Sequence, residues 1–278
     1  MSLMLKLLSI VLLTSSFIYA ETTSEKIEDF LNEKFAENSR VLSVDVNVVD
    51  VVTIPKPKNF NAYIVLVKAT VKDGANKKQV EQRMVYFSDG TVITQELTDL
   101  SSGASIVDSV KPDFKPEFYT KENLIYGNAN ATYKVAFFSD PLCPFCRNFV
   151  PKAIKEMKKQ PSKFAIYYYH FPLERIHPAS ITLVKAAVAA EMAGKKDAVL
   201  ELYKVKVNPR QRDVLEILKA FNNAMNTHVT LSDIESPKVK KHLQNDMNIA
   251  EYLMVAGTPT VYFDGKIDNT KQKYKKVK

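Results

Sequence analysis

The chain has 278 residues, 46% of them hydrophobic and 25% charged, and 39 Lys and Arg against 31 Asp and Glu give a formal charge of +8. This hydrophobic content excludes general disorder, and two cysteines are too few for a disulfide-scaffolded secreted domain. The length predicts two domains. The charge excess is modest and mixed with acidic residues, so we expect a solvated surface and no nucleic-acid partner.

The first twenty residues have the composition of a secretory signal peptide. Lys6 supplies the positive start, Leu7 to Ile18 is largely apolar, and Tyr19-Ala20 precedes a polar stretch. A membrane helix takes ~20 apolar residues, so this run is too short to span comfortably. We therefore expect residues 1–20 to be removed by cleavage after Ala20, with an uncleaved anchor as the alternative.

Residues 21–100 have the pattern of a small α+β domain. Ile27, Phe30, Leu31 and Phe35 have helical spacing in a segment that begins near the capping residue Ser24. Four stretches with β-branched residues and period-two alternation follow, namely residues 41–54, 62–71, 80–87 and 91–97. Gly-containing turns between them predict an antiparallel meander. This domain contains no Cys and no His, so we expect no catalytic chemistry in it.

Residues 101–124 are predicted to form a linker, because a Ser- and Gly-containing stretch is followed by Pro112 and Pro116. The second domain, residues 125–278, begins with an apolar strand at residues 133–139. Further strands are predicted at residues 164–171 and 260–263, and a mostly helical insertion at about residues 178–250. This order of elements predicts an α/β fold.

The two cysteines stand at the predicted junction between a strand and a helix. Cys143, at the helix start, faces unpaired N–H groups and the positive end of the helix dipole, which favour a thiolate. Cys146 lies one turn later and is expected to be buried. We therefore predict that Cys143 attacks a disulfide and that Cys146 resolves the mixed disulfide. Pro144 suits the first helical turn, and Arg147 is expected to add positive charge.

Two other interpretations of this pair stay open. An inert structural disulfide is one, although a loop this short removes little unfolded-state entropy beside the ~3 kcal/mol of a fifteen-residue loop. A metal site formed by Cys143, Cys146, His170 and His177 is the other, although its H-x6-H spacing lies outside the usual range of structural zinc sites. We expect no metal and no cofactor, and structural roles for all four histidines, including His228 and His242.

The segment VAFFSDPLCPFC, residues 135–146, resembles the active-site strand and turn of the bacterial periplasmic Dsb proteins, nearest the DsbG and DsbC branch. Residues 257–260, Gly-Thr-Pro-Thr, resemble the cis-proline loop of that family, and residues 171–178 resemble the entry to its helical insertion. The resemblance implies a thioredoxin-like catalytic domain with a helical insertion, preceded by a small α+β dimerisation domain. It also implies that Thr258 and Pro259 hold an extended substrate beside Cys143, with Pro144 and Phe145 completing the motif.

The function implied by the resemblance is that of a periplasmic, homodimeric isomerase or reductase of disulfides in misfolded secreted proteins. The implied redox partner is a membrane reductant of DsbD type rather than an oxidant of DsbB type. Phe137 stands where DsbA oxidases often have a buried Glu, which argues against a plain oxidase, and Thr258 matches DsbC and DsbG. Those proteins often carry an additional structural disulfide, for which this chain has no cysteines. A net oxidase of the same fold and a redox-independent holdase chaperone stay as alternatives.

Overall fold

The computed structural model describes residues 21–160, 162–195 and 197–277. The expected signal peptide lies outside the described residues, so its cleavage after Ala20 stays a prediction. The chain forms two compact units. Of the described residues, the first contains 21–81 together with Phe87–Ile93, and the second contains Gln82–Tyr86 and those from Thr94 onward.

The first unit packs a helix on an antiparallel meander. Helix α1 (Thr23–Ala36) begins at a capping box in which Thr22 and Glu25 bond each other's backbone N–H groups, so the cap is Thr22 and not the predicted Ser24. Its residues Ile27 and Leu31 are buried. The strands run in the spatial order of the chain and are β1 (Val41–Thr53), β2 (Asn61–Asp73), β3 (Asn76–Ser88) and β4 (Ile93–Thr94). Strand β4 is much shorter than the predicted strand at residues 91–97.

The second unit is built on a five-stranded sheet with the order β5-β7-β6-β8-β9. Its strands are β5 (Leu124–Tyr126), β6 (Tyr133–Ser139), β7 (Phe164–His170), β8 (Thr260–Phe263) and β9 (Lys266–Ile267). Strand β6 is central and pairs parallel with β7, which places Ser139 opposite His170, and antiparallel with β8. A strand paired on both edges and covered on both faces must be apolar, and residues 135–138 are fully buried.

The helices of this unit are α2 (Val107–Val110), α3 (Pro144–Met157), α4 (Ala179–Met192), α5 (Ala198–Leu202), α6 (Val214–Met225), α7 (Leu231–Ile234) and α8 (Pro237–Tyr252). Helices α3 and α8 pack on opposite faces of the sheet. Helices α4 to α8 form the insertion predicted at about residues 178–250. Short 3-10 turns occur at Pro116–Phe118 and Lys273–Lys275. Among the residues that the structure describes, no helix is long and apolar enough to cross a membrane.

Alternate residues of β6 belong to two different apolar clusters. Val135 and Phe137 pack with the buried face of α3 and with both cysteines. Ala136 and Phe138 pack with residues of β7 and α8 and with Phe114, which comes from the segment predicted to be a linker. Phe114 is 3% exposed, so this part of residues 101–124 is anchored in the core of the second unit. The predicted α/β fold with a helical insertion, preceded by a small α+β unit, is confirmed.

Candidate active site

The two cysteines lie at the junction of β6 and α3, as the sequence predicts. Cys143 is the N-cap residue of α3, with extended backbone, and Pro144 occupies the first turn, where its missing N–H costs nothing. Cys146 lies one turn into the helix. Both are free thiols and both are buried, Cys143 being 4% exposed and Cys146 fully enclosed. The structure therefore supplies the unequal pair that thiol–disulfide exchange requires: one sulfur at a helix N-terminus and one behind it.

The loop before β8 brings Thr258 and Pro259 beside Cys143. The Sγ atom of Cys143 is 3.5 Å from the carbonyl oxygen of Thr258, and the Thr258–Pro259 peptide bond is cis. Phe145 is 76% exposed next to this loop. A groove of about 490 Å³ runs between them, lined by Phe145, Phe149, Gly257, Thr258 and Pro259 among others. The predicted substrate-binding residues thus line this groove, and the predicted nucleophile lies beside it, in contact with the carbonyl oxygen of Thr258.

Burial controls the protonation of Cys146. It raises the pKa of this thiol to about 11, and the neighbouring Cys143 adds a smaller rise. The hydroxyls of Ser139 and Thr258 oppose the rise because they favour the thiolate. Thr258 Oγ1 is buried and has no hydrogen-bond partner in the thiol form, so its proton is free for the sulfur when Cys146 ionises. At neutral pH Cys146 is therefore a thiol.

A chain of buried hydroxyls extends from Ser139, next to Cys146. Ser139 Oγ is 2.6 Å from the hydroxyl of Tyr203, which is 2.8 Å from the hydroxyl of Tyr168. Burial raises the pKa of both tyrosines well above the ordinary value, so the chain is neutral. Phe137 contributes no ionisable group to this face of the sheet. The sequence predicts Tyr168 only as part of the strand at residues 164–171 and gives no signal for Tyr203, which follows α5.

Asp140 fixes the loop that leads to Cys143. Its buried carboxylate accepts hydrogen bonds at one oxygen from the Leu142 N–H (2.6 Å) and the Ser180 hydroxyl (2.8 Å). The other oxygen accepts from the Leu173 N–H (2.8 Å) and lies 3.0 Å from Nδ1 of His177. One side chain therefore ties the cysteine loop to the segment after β7 and to α4. The role of His177 is to contact Asp140.

Arg147 also contacts the loop that leads to Cys143. Its Nε donates to the carbonyl oxygen of Pro141 at 2.8 Å, and its guanidinium also donates to the carbonyl oxygen of Val205. The guanidinium that the sequence predicts to add positive charge thus donates to two backbone carbonyl oxygens. Arg147 positions the turn before Cys143 and ties it to the residues after α5.

One group of three potential metal ligands occurs among residues 21–160, 162–195 and 197–277: His170, His242 and Asp246. It contains neither cysteine and not His177, so the four-ligand site with both cysteines is wrong for the described structure. Burial lowers the pKa of His170 to about 3 and also lowers that of His242, which leaves both imidazoles neutral. Burial raises the pKa of Asp246 to about 8.

Comparison with known proteins decides the family. A family model described as thioredoxin matches residues 119–278, which is more than half of the chain. The chain belongs to the thioredoxin family. The matched region contains the five-stranded sheet, both cysteines and the loop with Thr258 and Pro259, so the predicted thioredoxin-like domain is confirmed.

Curated relatives of this thioredoxin-family chain include two kinds of protein. The Na(+)/H(+) antiporter NhaA 1 of Mycolicibacterium gilvum is 26% identical over 144 residues, which cover 51% of this chain and 23% of the antiporter. The chain thus spans about a quarter of the length of that relative. The probable disulfide bond formation protein D of Bacillus cereus is 25% identical over 177 residues, which cover 59% of this chain and 81% of the relative.

Solved structures that are similar to this chain include a thioredoxin-like oxidoreductase from Silicibacter pomeroyi, with a TM-score of 0.44, 23% identity and coverage of 54% of this chain and 84% of that one. Oxidised BdbD from Bacillus subtilis has a TM-score of 0.44 at 14% identity and covers 60% of this chain and 92% of its own. At these identities the likeness concerns the fold alone.

Proposed function

We propose that this thioredoxin-family protein catalyses thiol–disulfide exchange in secreted proteins as an isomerase or reductase of the Dsb type. Cys143 is the attacking sulfur and Cys146 the resolving one. The observation that carries the proposal is the position of Cys143 at the N-terminus of α3, with Sγ 3.5 Å from the carbonyl oxygen of Thr258 and with Cys146 buried one turn behind. A buried structural pair has no need of an adjoining groove.

The first step is attack of the Cys143 thiolate on one sulfur of a substrate disulfide. A new S–S bond joins Cys143 to that sulfur, and the second substrate sulfur leaves as a thiolate that takes a proton from water. Cys143 is the N-cap residue of α3 and precedes the N–H groups of its first turn. The groove between Phe145 and Pro259 holds the substrate chain, and the carbonyl and N–H groups of the Thr258 loop offer backbone hydrogen bonds.

The mixed disulfide then has two fates. Attack by Cys146 on Sγ of Cys143 releases the substrate as a dithiol and leaves a Cys143–Cys146 disulfide, which is net reduction. Attack by another substrate thiolate on the mixed disulfide gives a rearranged substrate and regenerates the Cys143 thiolate, which is isomerisation. Burial raises the pKa of Cys146 to about 11, so this thiol is rarely ionised at pH 7 and resolution is expected to be slow. Slow resolution gives the substrate time to rearrange and is compatible with isomerisation as well as with net reduction.

A net oxidase is the second candidate, and the name of the Bacillus cereus relative, probable disulfide bond formation protein D, favours it. The two candidates differ in the state of the pair in the cell, because an oxidase is kept as the Cys143–Cys146 disulfide and an isomerase is kept reduced. Thiol trapping in acid-quenched cells measures this state. A mostly reduced pair supports the isomerase or reductase, and a mostly oxidised pair replaces it with the oxidase.

The chemistry itself is tested with two single variants. Cys143→Ser is expected to lower insulin reduction and the refolding of a scrambled-disulfide substrate to the uncatalysed rate, because the attacking sulfur is gone. Cys146→Ser keeps the first step and is expected to accumulate a mixed disulfide with the substrate, which dithiothreitol releases. Full activity of Cys143→Ser would overturn the proposal. Activity against aggregation that survives loss of both cysteines would point to the holdase alternative.

The cellular setting is part of the same proposal. We expect the protein to work in the periplasm after removal of residues 1–20, with unfolded or wrongly disulfide-bonded secreted proteins as substrates. A membrane reductant of DsbD type is expected to return the Cys143–Cys146 disulfide to thiols. Deletion of such a reductant in the same cells is expected to shift the trapped pair from reduced to oxidised.

A further inference from the structure

A cluster of ligand-type side chains lies in the second unit outside the chemistry proposed for the cysteines. His170 is the last residue of β7, and His242 and Asp246 lie one turn apart on α8. One ligand atom from each lies within 4.8 Å of the other two. Nε2 of His242 is 3.6 Å from Oδ2 of Asp246, and the rings of His170 and His242 are 6.2 Å apart between centroids.

One member of the cluster has a ring nitrogen without a partner. His170 is 1% exposed, and its buried Nδ1 makes no hydrogen bond. Buried polar atoms in folded proteins are nearly always satisfied, so an orphaned imidazole nitrogen calls for a missing ligand or water. This observation is independent of the proximity of the three side chains.

The cluster also lacks positive charge. The buried carboxylate of Asp246 accepts hydrogen bonds from Asn123 Nδ2 (2.7 Å) and from the backbone N–H of His170 (2.8 Å), and both donors are neutral. Glu191 lies near enough for its charge to act unfavourably on that of Asp246. A carboxyl buried without a cation is costly to ionise, and a bound divalent ion displaces its proton and supplies the missing positive charge.

A route from solvent to the cluster exists. An open cavity of about 580 Å³ is lined by Asn123, His242 and the carboxylate-bearing Glu122, and the side chain of His242 is 11% exposed. Lys238 and Lys241 also line the cavity, but both are exposed to solvent. Water and salt screen their repulsion of a cation more strongly than they screen the attraction of the buried Asp246.

We propose that His170, His242 and Asp246 bind a divalent transition ion of the zinc class. Zinc sites with two imidazole nitrogens and one carboxylate oxygen as ligands keep a fourth position for water. Ca²⁺ and Mg²⁺ prefer oxygen ligands, so the two imidazoles argue against these ions. Tetrahedral bonds of ~2.0–2.2 Å place ligand atoms about 3.4 Å apart, so the side chains close inward on binding. The fourth position is filled by water from the cavity that His242 lines.

The sequence predicts no metal and purely structural roles for the histidines, and the proposed site differs from that prediction. Its position gives the ion a role, because it cross-links the end of β7 to α8. Strand β7 leads into the segment whose Leu173 N–H holds Asp140, and α8 leads into the loop with Thr258 and Pro259. The ion therefore stabilises the two segments that support the cysteine site.

The test uses Zn²⁺ on the protein carrying Cys143→Ser and Cys146→Ser, which removes both thiolates as competing ligands. After treatment with a chelator, competition with a chromogenic indicator is expected to give one Zn²⁺ per chain, and Co²⁺ is expected to give the visible spectrum of a four-coordinate ion. In this background, His242→Gln is expected to weaken binding at least about tenfold, the scale seen when even an outer-shell partner is lost. His228→Gln, at an exposed histidine outside the cluster, is the matched control and leaves the affinity unchanged.

A second variant and a stability measurement protect the test against misfolding. His170→Leu removes the orphaned nitrogen and is expected to fold without metal at least as stably as the background, yet to lose Zn²⁺ binding. Zn²⁺ is expected to raise the Tm of the background and of His228→Gln, but not that of His242→Gln or His170→Leu. Equal Zn²⁺ affinity in all four proteins, or no bound Zn²⁺ in any, overturns the proposal. Because every protein in this test lacks both cysteines, the result is independent of the exchange activity.

Discussion

In the proposed mechanism Cys146 sets how long a mixed disulfide lasts, because burial raises the pKa of its thiol to about 11. Below that pKa the thiolate fraction rises about tenfold with each pH unit. We therefore expect the rate at which Cys146 releases substrate from a preformed mixed disulfide at Cys143 to rise about tenfold per unit between about pH 7 and pH 9. Acid-quenched single-turnover kinetics measure this rate. A flat profile over that interval contradicts a buried, protonated resolving thiol.

The hydroxyl of Ser139 is expected to assist that step, since it favours the Cys146 thiolate. Ser139→Ala removes one hydrogen bond to the ionised sulfur, so release is expected to slow about two- to tenfold at fixed pH. The slope of the pH profile stays the same while the whole profile moves to higher pH. A slower rate with an unshifted profile would indicate misplacement of Cys146 instead. Ser232→Ala, at an exposed serine of α7, is the matched control.

The turn between β6 and α3 depends on Asp140, whose two oxygens each accept one backbone N–H, from Leu142 and from Leu173. Asp140→Asn keeps the shape but replaces one oxygen with an amide donor. Whichever way the amide turns, one buried N–H loses its acceptor, and we expect a loss of about 2–3 kcal/mol in the free energy of unfolding. Urea unfolding measures this as a lower midpoint with an unchanged slope. Asp29→Asn, at an exposed position of α1, is expected to leave the midpoint in place.

Local signals in the sequence predicted the elements that hold the cysteines. Strand β6 is an uninterrupted apolar run, Pro144 fits a first helical turn, and the residues after Cys146 repeat at helical spacing. The cap of α1 was also readable, because Thr22 has Glu three residues later and Ser24 has Ile27 there. Strand β5 has only three residues, which is too short for a recognisable sequence pattern. Its extended structure is stabilised by pairing with β7.

Contacts between elements that lie far apart in the sequence could not be predicted. Tyr203 follows α5 and meets Ser139 of β6, and His170 of β7 meets His242 of α8, at positions that only the packing of the insertion determines. Nothing in the spacing of these residues marks them, because zinc-site patterns depend on ligands that are close in the chain. The candidate redox site could therefore be located from the sequence, while its supporting network and the second cluster could not.

The first unit has an exposed apolar surface that suits self-association. Strand β1 lies at the edge of its sheet, thirteen residues long, and pairs only with β2. Its inner face is covered, with Val46 2% exposed, while Leu42, Val49 and Val51 are 43–46% exposed. Long edge strands with exposed apolar side chains are sites of pairing between chains. This surface supports the homodimer predicted from the sequence, in which a second copy of the chain covers β1 in a symmetric contact.

Val51→Lys tests that dimer. In a symmetric contact the substitution brings two like charges together and removes apolar surface, so we expect the dimer dissociation constant to rise about tenfold or more, equivalent to 1.4 kcal/mol. Sedimentation velocity over a concentration series measures it. Val92→Lys is the matched control, because Val92 is an exposed valine of the same unit outside β1, 57% exposed against 46% for Val51. Equal weakening by both variants would assign the effect to added charge rather than to β1, and an unsubstituted protein that sediments only as a monomer would contradict the homodimer predicted from the sequence.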